Sequence, residues 1–335
     1  MTGERLTAGE PRALGYNHGF VSVSPAIMPK LYIDEFVGVS NRLETLPLAF
    51  ALQKAYGHEI ILDWHELDSF SVAGTQRGKV RFLARLGALR VRDCDRALFD
   101  TLRDKKIILR SLDGPDELLN PIYLETARRI RLAAPLAERI RTTFQGLGGR
   151  PVVGVHVRHG DYELDDETTY RIDREWPAVP VWWYAETMRA IKKVQPDVVF
   201  FLSSTGDPAA FRELYDGLDV VTLDAPSPYG YKGPDHASAV NPVADIFALG
   251  CCPVILATPL SGYSHWAANA FGDASDCIVP LPGATRERPL RGLVRVFGTR
   301  LPRWRAAGRT GSDTLELGDG FADIDFSRPA HIDWL

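Results

Sequence analysis

VVGVHVRHGDY, residues 152–162, decides how the rest of the chain is read. Val152–Val157 is a short apolar run of the kind that forms a parallel strand buried on both faces, and it gives way at once to Arg158, His159, Gly160 and Asp161. Comparable runs occur at Val198–Leu202, Val220–Leu223 and Pro253–Ala257. Helical segments separate them: Trp183–Lys193, then Asp207–Tyr215 with Asp as N-cap and Pro first in the helix, then Pro242–Leu249 stopped by Gly250. The same alternation begins upstream, with Leu31–Phe36 as a strand, Gly38–Asn41 as a turn, Arg42–Tyr56 as an amphipathic helix and Glu59–Trp64 (EIILDW) as a second strand. Pro47 requires that helix either to start there or to kink. The Arg-rich segment 75–145 reads as two or three helices, and GLGG at 146–149 with Pro151 as a linker. The expectation is an α/β protein of two doubly wound, Rossmann-like domains facing a cleft, 1–148 and 149–335.

Composition narrows the function. With 39 Lys and Arg against 43 Asp and Glu, and 45% hydrophobic residues, the 335-residue chain is neither disordered nor a general nucleic-acid binder. The first twenty residues contain no apolar h-region, so no signal peptide or anchor is expected. No transmembrane segment is expected either, because the longest apolar stretch, Val243–Leu260, is broken by Asp245, Gly250 and Pro253. Cys94, Cys251, Cys252 and Cys277 form no CxxC pair and read as reduced thiols, which suggests a cytoplasmic protein. Arg286–Arg309 carries eight arginines and reads either as a solvated surface or as an anion or acceptor site.

Ligands of open parallel sheets bind beyond the carboxyl ends of the strands. The residues at those ends are polar in this chain: Arg158 to Asp161 after the first strand, Ser203, Ser204, Thr205, Gly206 and Asp207 after the second, Thr258, Ser261, Gly262, Tyr263 and Ser264 after the last. An arginine leaving a buried strand beside a serine-led helix start suits a diphosphate, since the guanidinium forks onto two oxygens and open backbone N–H groups take others. Read singly, His156 is a core histidine, Asp245 a solvent-facing acid and Arg158 a surface ion-pair partner; only their proximity in the fold would make a nucleotide site. No GxxxxGK[ST], GxGxxG or GxSxG is present. The DxD pairs Asp93/Asp95 and Asp323/Asp325 follow no clear apolar strand, so no metal is expected.

The stretch 152–162 resembles the first motif of the α1,2/α1,6- and protein-O-fucosyltransferase superfamily, and HVRHG is particularly similar to rhizobial nodulation α1,6-fucosyltransferases. GPDHASAVNPVADIFALGCCPVILATPLSGYSHWAANAF (233–271) resembles that family's Asp-bearing helix, strand and Ser-rich loop, with Asp245 sixteen residues before Ser261. VFFLSSTGDP (199–208) is similar to the intervening strand and acidic turn, and residues 38–64 more weakly to the N-terminal turn, helix and strand. His159 stands where many members have arginine and Ser40 where glycine is common, while 65–145 and 285–335 match nothing in the family.

The resemblance implies a GT-B-like fold and inverting, metal-independent transfer of L-fucose from the donor substrate GDP-fucose to a glycan or small-molecule hydroxyl, with no further cofactor. It implies that Arg158 grips the β-phosphate, that Ser261 and the N–H groups around Gly262, Tyr263 and Ser264 share the diphosphate, that His156 and Asp245 read guanine or ribose beside Thr205 and Asp207, and that Gly38 and Asn41 close the pocket from the other domain. The acidic loop Asp161, Glu163, Asp165, Asp166, Glu167 is either solvated or the source of a base. Core-type α1,6 members suggest Asp166, with Glu163 as second choice. Two other readings stay open: a transferase using another GDP- or UDP-sugar, and a non-catalytic nucleotide- or glycan-binding module.

Overall fold

The computed structural model describes residues 28–159, 168–170, 178–205, 208–227, 241–272, 275–298, 300–308, 314–318, 320–321 and 324–335. It opens with the expected βαβ unit: β1 (Lys30–Ile33), α1 (Val39–Tyr56) and β2 (Glu59–Leu62), with β1 and β2 parallel from Lys30 beside Glu59 to Ile33 beside Leu62. β1 stops three residues earlier than its apolar pattern suggests, because the buried Asp34 carboxylate turns to Arg110 (3.0 and 2.7 Å) and Arg85 (3.1 Å). α1 starts at Val39 and runs straight through Pro47, so Asn41 lies in its first turn and not in a preceding loop. Nor is it amphipathic: Leu43, Leu46, Leu48, Phe50 and Leu52 are buried along with Ser40, Arg42 and Thr45, as befits a helix covered on all sides.

The middle segment departs from the helices expected there. After β3 (Phe70–Val72) and β4 (Thr75–Arg77) come five short helices, α2 (Phe82–Arg85), α3 (Arg96–Asp100), α4 (Asp116–Leu119), α5 (Tyr123–Arg128) and α6 (Ala134–Gln145), interleaved with β5 (Leu89–Val91), β6 (Ile107–Leu109) and β7 (Ile130–Leu132). Five of these strands form an all-parallel sheet in the order β4-β2-β1-β6-β5, and β3 pairs with β7.

The second sheet has seven strands: β8 (Val152–Arg158), β9 (Val199–Thr205), β10 (Val220–Val221), β11 (Val254–Leu256), β12 (Asp276–Val279), β13 (Leu293–Val296) and β14 (Thr314–Gly318), in the order β10-β9-β8-β11-β12-β13-β14. Five are parallel, and β13 and β14 extend the edge antiparallel. α7 (Val181–Val194) connects β8 to β9, and α8 (Pro242–Gly250) and α9 (Gly262–Asn269) flank β11. The chain moves outward from β8 to β10, then returns to the other side of β8 at β11. The strand order therefore reverses between β8 and β11, which is where a doubly wound sheet opens a crevice. Gly154 in β8 lets α8 press close, since a Cβ there would meet Leu249 Cδ2 at 2.9 Å.

One apolar core runs through both sheets, from Leu31, Leu46 and Phe50 to Phe201, Trp266 and Phe271; a second, with Val155, Trp183, Met188 and Phe200, fills the other face of the larger sheet. The final residues return to the first of these cores. Val152 N–H donates to Arg328 O (3.1 Å), and the Trp334 ring stacks on Phe271 (5.9 Å, 6°). α10 (Pro302–Ala306) lies in the Arg-rich stretch, which is not simply solvated: Arg300 pairs with Glu44 across the two halves (3.0 Å) and Arg295 faces Asp276 (3.6 Å). All four cysteines are buried and free, and no described helix is long and apolar enough to cross a membrane.

Candidate nucleotide-sugar site

At the β8/β11 crevice, several of the expected residues meet. Arg158 is the last residue of β8; its N–H donates to Thr258 Oγ1 (3.2 Å), and that hydroxyl donates in turn to His156 O (3.0 Å). Thr258 thus fastens the end of β8 to the loop after β11. In that loop Leu260 has φ +60°, in the left-handed region that an L side chain adopts at a cost, while its side chain is 68% exposed.

Ser261 is the N-cap of α9, yet its side chain makes no capping bond, and its buried Oγ has no partner. The first turn of α9 contains no acidic residue, so its positive end is uncompensated within the helix. Gly262 brings α1 against this helix end: a Cβ on Gly262 would lie 2.5 Å from Asn41 Oδ1. Gly38 is the N-cap of α1, so the N-termini of α1 and α9 abut. A cavity of about 460 Å³ beside this junction is lined by Thr258, Leu260, Ser261, Val279 and Val294 among others.

His156, Asp245 and Ser264 are buried beneath the crevice, with the half-buried Tyr263 against them. His156 Nδ1 lies 2.6 Å from Ser264 Oγ, and its ring stacks on Tyr263 at 4.7 Å. Burial, helped by the Arg158 charge, lowers the His156 pKa to about 3, so the ring is neutral. Tyr263 donates to Pro242 O (2.5 Å). Asp245 does not face solvent. It is 3% exposed, bonded to Ser203, with Oδ1 unpartnered, and burial raises its pKa to about 7. Thr205 is the last residue of the adjacent β9, and its hydroxyl donates to His159 O (3.1 Å). His159 itself bonds Val179 O through Nε2 (2.9 Å). Asp207, Asp161, Glu163, Asp165, Asp166 and Glu167 lie outside the described residues.

Two arrangements were not anticipated from the sequence. Glu44, Tyr123, His265, Asn269 and Arg300 line a polar cavity of about 330 Å³ between α1 and α9, where burial raises the Glu44 pKa to about 7 against the opposing pull of Arg300. Glu35, His65 and Glu66 offer ligand atoms within 4.8 Å of one another. They make a poor metal site: the two carboxylates address different nitrogens of one imidazole, and Glu66 Oε1 is already taken by Arg42 Nη2 at 2.5 Å. Of the DxD pairs, Asp95 instead caps α3 by accepting from Leu98 N–H (2.8 Å). Arg42, Glu44 and Thr45, placed just ahead of the apolar run Leu46–Leu52, were the available sign that α1 faces more than a core.

No family model and no curated protein sequence matches the chain. Among solved structures, it is similar to the fucosyltransferase NodZ from Bradyrhizobium, at 15% identity over 76% of this chain and 95% of that one, with a TM-score of 0.45. It is also similar to NodZ α-1,6-fucosyltransferase soaked with GDP-fucose (14% identity, 76% and 94% covered, TM-score 0.47) and to POFUT1 in complex with GDP-fucose (9% identity, 75% and 98% covered, TM-score 0.48).

Proposed function

We propose that this chain is an inverting glycosyltransferase that moves L-fucose from GDP-fucose to a hydroxyl of a glycan or other acceptor, with residues 149–335 holding the donor and residues 1–148 forming the acceptor side. The observation that carries this reading is the meeting, at the strand-order reversal of the larger sheet, of Arg158 with an α9 N-terminus whose cap hydroxyl, Ser261 Oγ, is buried and unpartnered. That is a seat for a diphosphate. The choice of GDP-fucose rests on the motif resemblance of 152–162 and 233–271.

As the glycosidic bond breaks, negative charge grows on the departing diphosphate. A guanidinium and backbone N–H groups already in place stabilise that charge without having to reorganise, so no metal is required for it. Asn41 closes on the same point from α1, whose N-cap is Gly38. His156 and Asp245 would act on the base from below, Asp245 through its unsatisfied oxygen and His156 by holding Ser264 and Tyr263 in position.

A thermal-shift titration with GDP, GDP-fucose, GDP-mannose and UDP-sugars tests the reading, because binding to the folded state alone adds RT ln(1 + [L]/Kd) of stability. GDP and GDP-fucose should raise Tm, with or without EDTA. No shift at millimolar GDP removes the donor assignment, a preference for another nucleotide sugar changes the donor, and binding without donor turnover points to a non-catalytic module.

A further inference from the structure

The carboxyl edge of the smaller sheet carries a chain of charged side chains that the donor site does not use. Glu35 follows β1, and His65 and Glu66 open the 3-10 turn after β2. Glu35 Oε1 accepts from both the backbone N–H and the ring Nδ1 of His65, each at 2.6 Å. On the other side of the ring, Nε2 lies 3.3 Å from Glu66 Oε1. Glu66 is held in turn by Arg42, whose guanidinium sits 5.1 Å over the Trp64 ring. Side-chain exposure rises steadily along this chain, 2% at Arg42, 6% at Glu66, 19% at His65 and 35% at Glu35. Such a gradient fixes a surface carboxylate from the core outward.

Its position matters as much. The smaller sheet reverses strand order at β1, so Glu35 stands at that sheet's own crevice. The loop it begins leads through Gly38, the N-cap of α1, to Ser40 and Asn41, which pack against Gly262 at the donor cradle. The turn holding His65 ends at Ser69, whose hydroxyl accepts from Asn241 Nδ2 (3.0 Å) at the cap of α8. Both loops are therefore anchored to helix N-termini of the donor half, one on each side.

We propose that Glu35 is the base for the incoming hydroxyl and that His65 and Glu66 are positioning residues that hold it; this rests on the glycosyltransferase reading above. The acceptor oxygen bonds to C1 of the sugar while the bond from C1 to the β-phosphate oxygen breaks, and the electron pair leaves with GDP. The hydroxyl proton passes to the Glu35 carboxylate, and from there to water. The site takes a neutral hydroxyl, because that is the nucleophile with a proton to lose.

The test needs no known acceptor, since water and azide both serve. GDP release from GDP-fucose is followed in buffer and in molar sodium azide for the parent, Glu35→Gln, His65→Ala and Asp166→Asn, with GDP affinity titrated for each. Glu35→Gln should lose roughly 100-fold in hydrolysis at unchanged GDP affinity, and azide, which has no proton to give up, should restore turnover as fucosyl azide. His65→Ala should lose about 10-fold and also be rescued, whereas damage to the fold would lower both rates. Parental hydrolysis by Glu35→Gln overturns the assignment. So does a loss confined to Asp166→Asn, or a parent that binds GDP and turns over donor no faster than Glu35→Gln in buffer. A parent that binds no GDP fails the donor reading itself, in a titration that does not involve Glu35.

Discussion

Arg158 stands where a strand end, a threonine tether and a helix N-terminus converge, so in the proposed reaction its substitution should read directly on the bond-breaking step. Arg158→Ala should cost about 2–4 kcal/mol of transition-state stabilisation, the usual loss for one preorganised donor to a developing anion. Arg158→Lys should recover little, because an ammonium cannot reproduce a two-pronged contact; kcat/KM for donor turnover checks both. Asp245 makes a different prediction. Its folded pKa of about 7 lies above the usual value near 3.8, so the folded state holds a proton that the unfolded state gives up. Stability from this group is therefore fully present below about pH 4 and is lost as pH rises through 7, on the order of 4 kcal/mol in total. Asp245→Asn keeps a partner for Ser203 and removes that dependence. Urea midpoints at pH 5 and pH 8 should show the variant gaining on the parent at the higher pH.

At the scale of the element, the loop between β11 and α9 stores strain next to the proposed phosphate seat. Leu260 is exposed and contributes little packing, so Leu260→Gly should raise stability by about 0.5–1 kcal/mol, the left-handed penalty less glycine's extra chain entropy. A lower Tm would mean that the leucine side chain has a packing role after all. Length and surroundings decide which elements are legible in the sequence. β8, β9 and β11 are built on apolar runs, placed within three residues by their pattern, and the helix of β1–α1–β2 stands out by its length. β5 and β6 do not, because three residues carry no period, and Leu-Arg-Val or Ile-Ile-Leu fits a helix equally well. The start of α1 is misplaced by the sequence because Ser40 and Asn41 resemble turn residues, whereas in the fold they pack against α9. The residues of the proposed donor cradle can be singled out in the sequence because they cluster in two short stretches. The Glu35–His65–Glu66 chain cannot, because nothing between Glu35 and His65, thirty positions apart, announces that two loops will meet.

Over the whole molecule, the apolar core shared by the two sheets has a thermodynamic signature. Leu46 and Phe50 on α1 belong to the same cluster as Trp266 on α9 and Phe271 just after it, and Phe144 on α6 packs edge-on against Phe201 of β9 at 5.5 Å. Neither half can melt without exposing the other's interior. Scanning calorimetry should accordingly record one endotherm whose van't Hoff and calorimetric enthalpies agree, where two independent domains would give two transitions. The same cohesion makes every ligand a reporter for the entire chain: a nucleotide bound only at β8 should slow hydrogen exchange at amides of β1 and β2 by as much as at β9.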